Sequence, residues 1–410
     1  MTSETCRFCG SGRQATFVDL GMSPLCESIL DASQLNQMEA FYPLHVFVCE
    51  DCFLVQVQEY VKPEHIFTEY AYFSSYSDSW LTHARKYTHA MVERFGLGTH
   101  SHVVELASND GYLLQYFVEA GIPVLGIEPA KNVAEVAVGK GIPTLVQFFG
   151  ADCARALVQR GVGADLVIGN NVLAQVPDLL SFVEGMKILL NPEGVITLEF
   201  PHLLRLMEGN QFDTIYHEHF SYFSFQTVER IMARFELRVF DVEELPTHGG
   251  SLRVYICHEG SKLHSRTDRA DKLASHEQHQ GFNSLEIYSS FSEQVKQTKR
   301  NILDFLIRAK QNGKSVVGYG APGKGNTLLN YCGIRTDFID YTVDRNPYKH
   351  GKFLPGTHIP VYEPGKISET KPDYIFILPW NLKREISEQL SYVREWGAKL
   401  VVPIPELEIF

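Results

Sequence analysis

The chain lacks any apolar run approaching the ~20 residues that a membrane-spanning helix needs, which argues against a helical membrane protein. Met1–Gly10 has no apolar stretch and already holds two cysteines, so no secretory leader is expected. Positive charge is scarce: 37 Lys and Arg face 49 Asp and Glu, a net charge of −12. With no basic cluster, the chain does not offer the face that a non-specific nucleic-acid binder requires. Short-period repeats and low-complexity tracts are missing as well. What is present is a hydrophobic content of 44% with 12% aromatics, enough for packed cores and too much for a disordered chain. At ~150 residues per domain, 410 residues make two or three domains. The expectation is a cytoplasmic, monomeric, multidomain protein.

The 8 cysteines are unevenly spread. Cys6-x-x-Cys9 and Cys49-x-x-Cys52 form two short-spaced pairs, each able to present two thiolates on one tight turn. Two such turns complete a tetrahedral sulfur shell for zinc. Four sulfurs leave no open coordination position, so the metal's role is structural, and a small module would gain its fold from it. Cys26 reads as a buried free thiol, and Cys153, Cys257 and Cys332 as apolar core residues.

Past an aromatic stretch, Tyr70–Ser77, strand and helix patterns alternate. Strands are predicted at His102–Leu106, Val124–Glu128, Thr144–Phe148, Asp165–Ile168 and Gly194–Phe200, with helices between them. Leu237–Val242 and Ser251–Cys257 follow with no intervening helix, as a terminal hairpin would. This is the pattern of a doubly wound α/β sheet closed by antiparallel strands. A polar, helix-forming stretch leads to a second alternating series from Ser315, a Rossmann-like layout. The expected organisation is a zinc-binding module over 1–70, an α/β domain over 71–262, a helical connector over 263–312 and a C-terminal α/β domain over 313–410.

Two glycine loops compete for an adenosine ligand. The first runs Glu105-Leu106-Ala107-Ser108-Asn109-Asp110-Gly111 out of a strand, and Glu128 ends the next strand, placed to accept both ribose hydroxyls. Ala107 and Asn109 stand where a dinucleotide fingerprint has glycine, so the loop does not suit a pyrophosphate. It suits S-adenosylmethionine, which carries an amine and a carboxylate instead. The second loop, Gly318-Tyr319-Gly320-Ala321-Pro322-Gly323, is a literal GxGxxG with Asp344 on the following strand, formally the better NAD signature. Lys324 beside it can instead meet a phosphate of a sugar nucleotide. Titratable groups concentrate in Tyr216-His217-Glu218-His219, after the strand that ends at Pro201-His202. His219 is placed to remove a proton near neutral pH, with Glu218 or Tyr216 tuning it or holding a substrate oxygen. A His-x-His zinc site is the weaker reading, since the i, i+4 spacing of HExxH is missing.

Taken together these segments resemble the sugar C-methyltransferases of antibiotic and deoxysugar pathways. The resemblance rests on the paired Cys-x-x-Cys, Tyr76 in Ser74-Ser75-Tyr76-Ser77, Glu105–Gly111, Tyr216–His219 and His248-Gly249-Gly250-Ser251-Leu252-Arg253. It continues through Gly318–Ala321, Val343-Asp344-Arg345-Asn346-Pro347 and Leu378-Pro379-Trp380-Asn381, spanning nearly the whole chain. It implies methyl transfer from S-adenosylmethionine to the carbon beside the ketone of a nucleotide-linked 4-keto-deoxysugar, with carbon-3 and a dTDP-sugar as the leaning. It makes His219 the base, with Tyr216, Glu218 and Tyr76 positioning the sugar and its keto oxygen. The cofactor set becomes Glu105, Ala107, Asn109, Asp110, Gly111, Glu128 and Asn170, with zinc on the four paired cysteines. Substrate candidates are Gln175, His202, His248, Lys324 and Asn346, and Trp380 is either a ligand contact or core. Gln175 departs from the family, which has histidine there. An amide can hydrogen-bond but cannot titrate, so it can orient the sugar but not relay a proton. The competing reading is a nicotinamide-dependent sugar-nucleotide oxidoreductase or epimerase built on the second glycine loop.

Overall fold

The computed structural model describes residues 5–67 and 73–410. The expected boundary between residues 70 and 71, with Tyr70–Tyr72 of the aromatic stretch, lies outside the described residues.

Among the described residues three sheets form, and the central one has seven strands. Five are parallel: Val103–Leu106, Val124–Ile127, Thr144–Leu145, Ala164–Asn170 and Leu190–Pro201. The hairpin Leu237–Leu245 and Ser251–His258 completes it, the second of these strands lying antiparallel against Leu190–Pro201. Val103–Leu106 is buried at every position because helices cover both faces of a parallel sheet. Thr144–Phe148 is strand only over Thr144–Leu145, at the sheet's edge, where one neighbour is missing and pairing ends early.

The N-terminal sheet is made of Gln14–Ser23, Tyr42–Cys49, Val55–Val57 and, from far along the chain, Ser221–Tyr222. That fourth strand begins two residues after His219, so the titratable cluster leads straight into an edge strand of the cysteine module's own sheet, with Val55 opposite Tyr222 and Gln56 opposite Ser221. The module also shares a core with the central domain: Cys6, Phe8, Cys49, Cys52 and Leu54 pack with Phe223, Phe225, Val228 and Ile231. It is therefore not a small coreless unit held by metal alone.

The third sheet runs Val316–Tyr319, Thr342–Val343, Val361–Tyr362, Tyr374–Ile377 and Lys399–Val402 in parallel, with Glu408–Ile409 antiparallel at its edge. The stretch expected to be a polar connector forms two helices, Asp268–His279 and Leu285–Gln311. The longer one is not a free spacer. It buries Tyr288, Phe291, Val295 and Ile302 at helical spacing, and Phe17 of the N-terminal sheet stacks on Phe291 with ring centroids 4.7 Å apart. The polar composition of Leu285–Gln311 is its outer face, and the apolar stripe is too diluted in sequence to register as core.

Candidate active site

The carboxyl ends of four adjacent strands converge on one crevice. Glu105, Glu128, Asn170 and Glu199 sit at those ends and all are buried. This is where an open α/β sheet binds its ligands. The loop after Glu105 needs left-handed backbone at Ala107 (φ 55°), Asn109 (φ 50°) and Gly111 (φ 75°). A side chain at Gly111 would put its Cβ 2.3 Å from Ile142 Cδ1 and 3.3 Å from Ala137 Cβ, on left-handed backbone that favours glycine. Glu128 accepts the backbone N–H of Asn109 at 2.9 Å and of Ala130 at 2.8 Å, one on each carboxylate oxygen. Each oxygen keeps a lone pair for a ribose hydroxyl. Burial raises the Glu128 carboxyl, the two amides opposing it. Burial likewise pushes Glu105 well above its ordinary range, with Glu128 and Asp110 adding like charge.

Among the described residues, several buried polar atoms around this loop make no hydrogen bond: Glu105 Oε2, Ser108 Oγ, Asp110 Oδ1 and both side-chain ends of Asn170. Such atoms are costly unless a ligand meets them. Two carboxyl oxygens, a hydroxyl and a carboxamide left without hydrogen bonds fit a cationic, hydroxyl-bearing ligand such as S-adenosylmethionine. The segment Ser74–Tyr76 closes over the loop, with Ser74 N–H donating to Asn109 Oδ1 at 2.9 Å and Ser75 N–H to Asp110 Oδ2 at 3.3 Å. Replacing Glu128 by alanine is expected to weaken S-adenosylmethionine binding about 10- to 100-fold, as loss of charged hydrogen bonds does, read by calorimetry.

The four cysteines Cys6, Cys9, Cys49 and Cys52 meet with all sulfurs within 4.8 Å of one another. Cys6 and Cys52 are 3.5 Å apart, as are Cys9 and Cys49. A tetrahedral zinc at ~2.3 Å from each sulfur puts neighbouring sulfurs at about 3.8 Å, so the cage fits that ion. Its outer carbonyls are gripped by the central domain: Arg234 donates to Phe8 O at 2.6 Å and Arg230 to Cys52 O at 3.3 Å.

His219 lies between the turn Phe212–Thr214 and the strand Ser221–Tyr222 of the N-terminal sheet. Its Nδ1 lies 3.2 Å from the Thr214 carbonyl. A carbonyl only accepts, so Nδ1 carries the proton and Nε2 holds a free lone pair. Tyr216 lies against it, ring centroids 4.2 Å apart. Burial, followed in part by the nearby His248, lowers the imidazole to about 4, while the Thr214 bond opposes. It is therefore neutral at pH 7, the form a base needs. Glu218 is buried and turned toward the N-terminal module, where the Cys26 thiol lies 3.8 Å from its Oε1. Burial and then Glu27 raise its carboxyl to about 8, so at neutral pH it is largely protonated and can donate. His217 points away, its Nε2 donating to Pro43 O at 3.1 Å, which leaves no His-x-His pair for a metal.

His248 faces the same cleft, on the tight turn before Ser251–His258, with φ 54°. The edge of Trp80 packs 5.4 Å from its ring, and Asn171 Nδ2 approaches its Nε2 at 3.5 Å. Burial, then the charge of Lys324, lowers it to about 4. Gln175 lies on the short turn Leu173–Gln175 beside this group, where Phe220 N–H donates to Ala174 O at 2.7 Å.

Other candidates lie elsewhere. His202 is wholly enclosed, its Nε2 2.6 Å from Glu277 Oε1, and Glu277 also takes the amides of Phe225 and Gln226. This is a corrected placement: the imidazole pins the connector to the central domain and reaches no substrate. Tyr76 is 74% exposed at the rim, above the cofactor loop, not beside His219. Asn346 is spent capping the turn Pro347–Lys349 and is remote from the crevice by its contacts. Lys324 Nζ lies 4.7 Å over the Trp380 ring and 2.7 Å from Asn381 Oδ1, and its charge acts on His248.

The second glycine loop is already filled. Asp344 gives one carboxylate oxygen to Ala321 N–H at 2.7 Å and the other to Asn346 N–H at 2.7 Å. At Gly323 a Cβ would meet Glu27 Oε1 at 2.7 Å and Cys26 Sγ at 2.9 Å, and at Gly320 it would meet Pro379 Cδ at 2.5 Å. These glycines admit other parts of the chain, and a carboxylate sits where a pyrophosphate would need the helix N-terminus. Glu27, Cys26 and Pro379 thus line the loop that the nicotinamide reading needs.

Three residues of the cleft wall escaped the sequence reading. His83 Nε2 lies 2.8 Å from Glu199 Oε2, and Arg253 Nε donates to Glu199 Oε1 at 2.7 Å. A glutamate inside the apolar run Val195–Phe200 was the available signal, because a buried carboxylate must be paired.

Comparison with known proteins agrees with this geometry. The family described as "C-methyltransferase C-terminal domain" matches residues 246–405, a methyltransferase domain matches 80–242, and a zinc binding domain matches 6–67. The C-methyltransferase NovU of Streptomyces niveus is 36% identical over 403 residues, covering 98% of this chain and 96% of NovU. Among solved structures, the PH0226 protein of Pyrococcus horikoshii OT3 matches at 14% identity and a TM-score of 0.38, covering 48% of this chain and 97% of its own. Magnesium protoporphyrin IX methyltransferase (ChlM) of Synechocystis PCC 6803, with bound SAM, matches at 15% identity and a TM-score of 0.33, covering 44% and 82%. Those scores are too low to bear on the site. Near-complete coverage by NovU, with the cysteine cage and the methyltransferase crevice both in place, shows that the chain belongs to the C-methyltransferase family, as an S-adenosylmethionine-dependent enzyme with a structural zinc site.

Proposed function

We propose that this enzyme methylates the carbon next to the ketone, carbon-3, of a nucleotide-linked 4-keto-deoxysugar, with His219 as the general base. The observation that carries the reading is the His219 ring itself. Its Nδ1–H is committed to Thr214 O, its Nε2 is left as an acceptor, and it lies in the cleft beyond the strand ends.

A carbon beside a ketone becomes nucleophilic only after it loses a proton, and a positioned neutral imidazole performs that step. His219 Nε2 takes the α-proton, and its Nδ1–H keeps the ring oriented through Thr214 while the charge changes. The negative charge then moves to the keto oxygen, which requires hydrogen-bond donors close by. The candidate donors are Tyr216 and the protonated carboxyl of Glu218, both within three residues of His219, and the amide of Gln175, whose neighbour Ala174 accepts the Phe220 N–H. Gln175, unable to titrate, serves orientation, leaving proton removal to one residue. Bound S-adenosylmethionine supplies the electrophilic methyl that the carbanionic carbon takes up. Lys324, on the C-terminal side of the cleft, provides positive charge for the nucleotide's phosphates in a chain whose overall charge is negative. The substrate class follows the resemblance of Tyr216–His219, His248–Arg253 and Leu378–Asn381 to the sugar C-methyltransferases, with dTDP the favoured nucleotide and a monomer the favoured state.

The test needs no methyl donor. In heavy water, with S-adenosylhomocysteine in the cofactor site, the enzyme is expected to wash deuterium into carbon-3 of a dTDP-4-keto-6-deoxysugar, seen by proton NMR. Label at another carbon, or none, would reject the reading.

A further inference from the structure

The turn that holds the His219 ring is itself held by the C-terminal domain. Thr214, whose carbonyl takes the His219 Nδ1–H, belongs to the short turn Phe212–Thr214. Each residue around it is gripped from helix Gly323–Cys332 or from the segment after strand Tyr374–Ile377. Trp380 Nε1–H donates to Asp213 Oδ2 at 2.7 Å. Thr327 Oγ1–H donates to Ile215 O at 3.1 Å. The Tyr331 ring packs edge-on to Phe212, with centroids 5.4 Å apart. Asp213 is fully enclosed, and its Oδ1 has no partner among the described residues. The Lys324 ammonium lies over the same Trp380 ring. A buried carboxylate carries a heavy desolvation cost unless its partners stay in place, so this contact is sensitive to any shift between the domains.

We infer that Asp213, Trp380 and Thr327 are positioning residues for methyl transfer: the C-terminal domain sets the orientation and dryness of the base through the turn that carries Thr214. The inference rests on His219 being the base. Loss of the Trp380–Asp213 bond frees the turn, and a reacting group displaced by even ~1 Å costs up to 10²-fold in rate. It also lets water reach the imidazole, so the ring's proton affinity moves back toward that of free histidine. Among the described residues, Tyr216 and Tyr222 face the His219 ring, Asp213, Lys324, Glu218 and His248 are further charged or titratable groups around the site, and of these Asp213 and Lys324 touch Trp380.

The experiment compares Trp380→Phe, Asp213→Asn, Asp213→Leu and Thr327→Val in the full-length protein. Trp380→Phe keeps the ring and removes the donor. It is expected to lower kcat about 10- to 100-fold, leave S-adenosylmethionine affinity within about twofold, and shift the acid limb of the kcat/KM profile upward. Asp213→Asn keeps an acceptor for the indole N–H and should retain most of kcat, whereas Asp213→Leu should behave like Trp380→Phe. Thr327→Val, a near-isosteric change, gives a smaller loss with the same upward shift, and it covers the case in which Asp213→Leu fails to fold. Wild-type kcat and an unmoved acid limb in both Trp380→Phe and Thr327→Val would overturn the inference. So would an Asp213→Asn defect equal to that of Asp213→Leu. If His219→Asn retains proton exchange, the base assignment fails first, an outcome distinct from either of these.

Discussion

His219→Asn is expected to abolish deuterium exchange at the substrate carbon and to lower kcat by about 10²–10⁴-fold, the usual worth of a positioned base. The substitution is informative because an asparagine amide can still donate to the Thr214 carbonyl, 3.2 Å from Nδ1 in the wild type. The turn should therefore hold, and S-adenosylmethionine affinity, which we assign to Glu105–Gly111 and Glu128, should stay within a few-fold. What is lost is an acceptor with a basic lone pair. The pH dependence gives a second readout. Burial lowers the wild-type imidazole to about 4, so the base is neutral above that pH and becomes protonated as pH falls through it. Wild-type kcat/KM should thus decline on the acid side near pH 4, well below the ordinary histidine range, and His219→Asn should lose that limb. An unchanged acid limb in the variant would assign it to another group.

Removing the zinc is the other change expected to act on a large scale. Cys49→Ser, or prolonged chelation of the wild type, should release one zinc per chain and lower the melting temperature by about 10 °C or more, measured by metal analysis and calorimetry. Structural zinc is worth about 10–16 kcal/mol in isolated finger peptides. Here part of that is held in reserve, because Phe17, Val46 and Val55 give the N-terminal module apolar packing of its own. A loss of even several kcal/mol shifts melting by this amount in a domain of ordinary size. Methyl transfer should fall as well, through a link outside the cage itself. The reason is the strand Ser221–Tyr222, which begins two residues after His219 and pairs with Val55 and Gln56. Arg7, between Cys6 and Phe8, adds a second link, donating to Gln56 Oε1 at 3.2 Å and lying 5.5 Å from the Phe220 ring. A zinc-free protein with unchanged melting and full activity would show the cage to be ornamental.

The two predictions share a cause. His219 is held between an N-terminal sheet below it in sequence order and a C-terminal domain after it, so its environment is built by contacts far along the chain. Cys26 and Glu27 illustrate the crossing: Asn326 Nδ2–H donates to Cys26 O at 2.6 Å, the Cys26 thiol faces Glu218, and Glu27 closes the second glycine loop. One short segment thereby joins all three parts of the molecule.

The features that sequence alone determined are those whose chemistry is local. Two Cys-x-x-Cys turns present sulfurs by backbone geometry within each turn, and only their meeting needs the fold. The first glycine loop was legible because the φ values at Ala107, Asn109 and Gly111 and the reach of Glu128 depend on a single strand–helix–strand unit. The alternating apolar strands were legible for the same reason, through their period. Tertiary structure alone decided which polar residues face a ligand and which face one another. His202 and His219 look alike as histidines after strand ends, yet Glu277 encloses the first while Thr214 and Tyr216 present the second. Gly320 and Gly323 spell a dinucleotide motif, and only the packing of Pro379, Cys26 and Glu27 shows the space to be occupied. Burial, charge pairing and proton affinity are set by what the folded chain packs together, and His219 acquires its lowered proton affinity and its committed Nδ1–H only when that packing surrounds it.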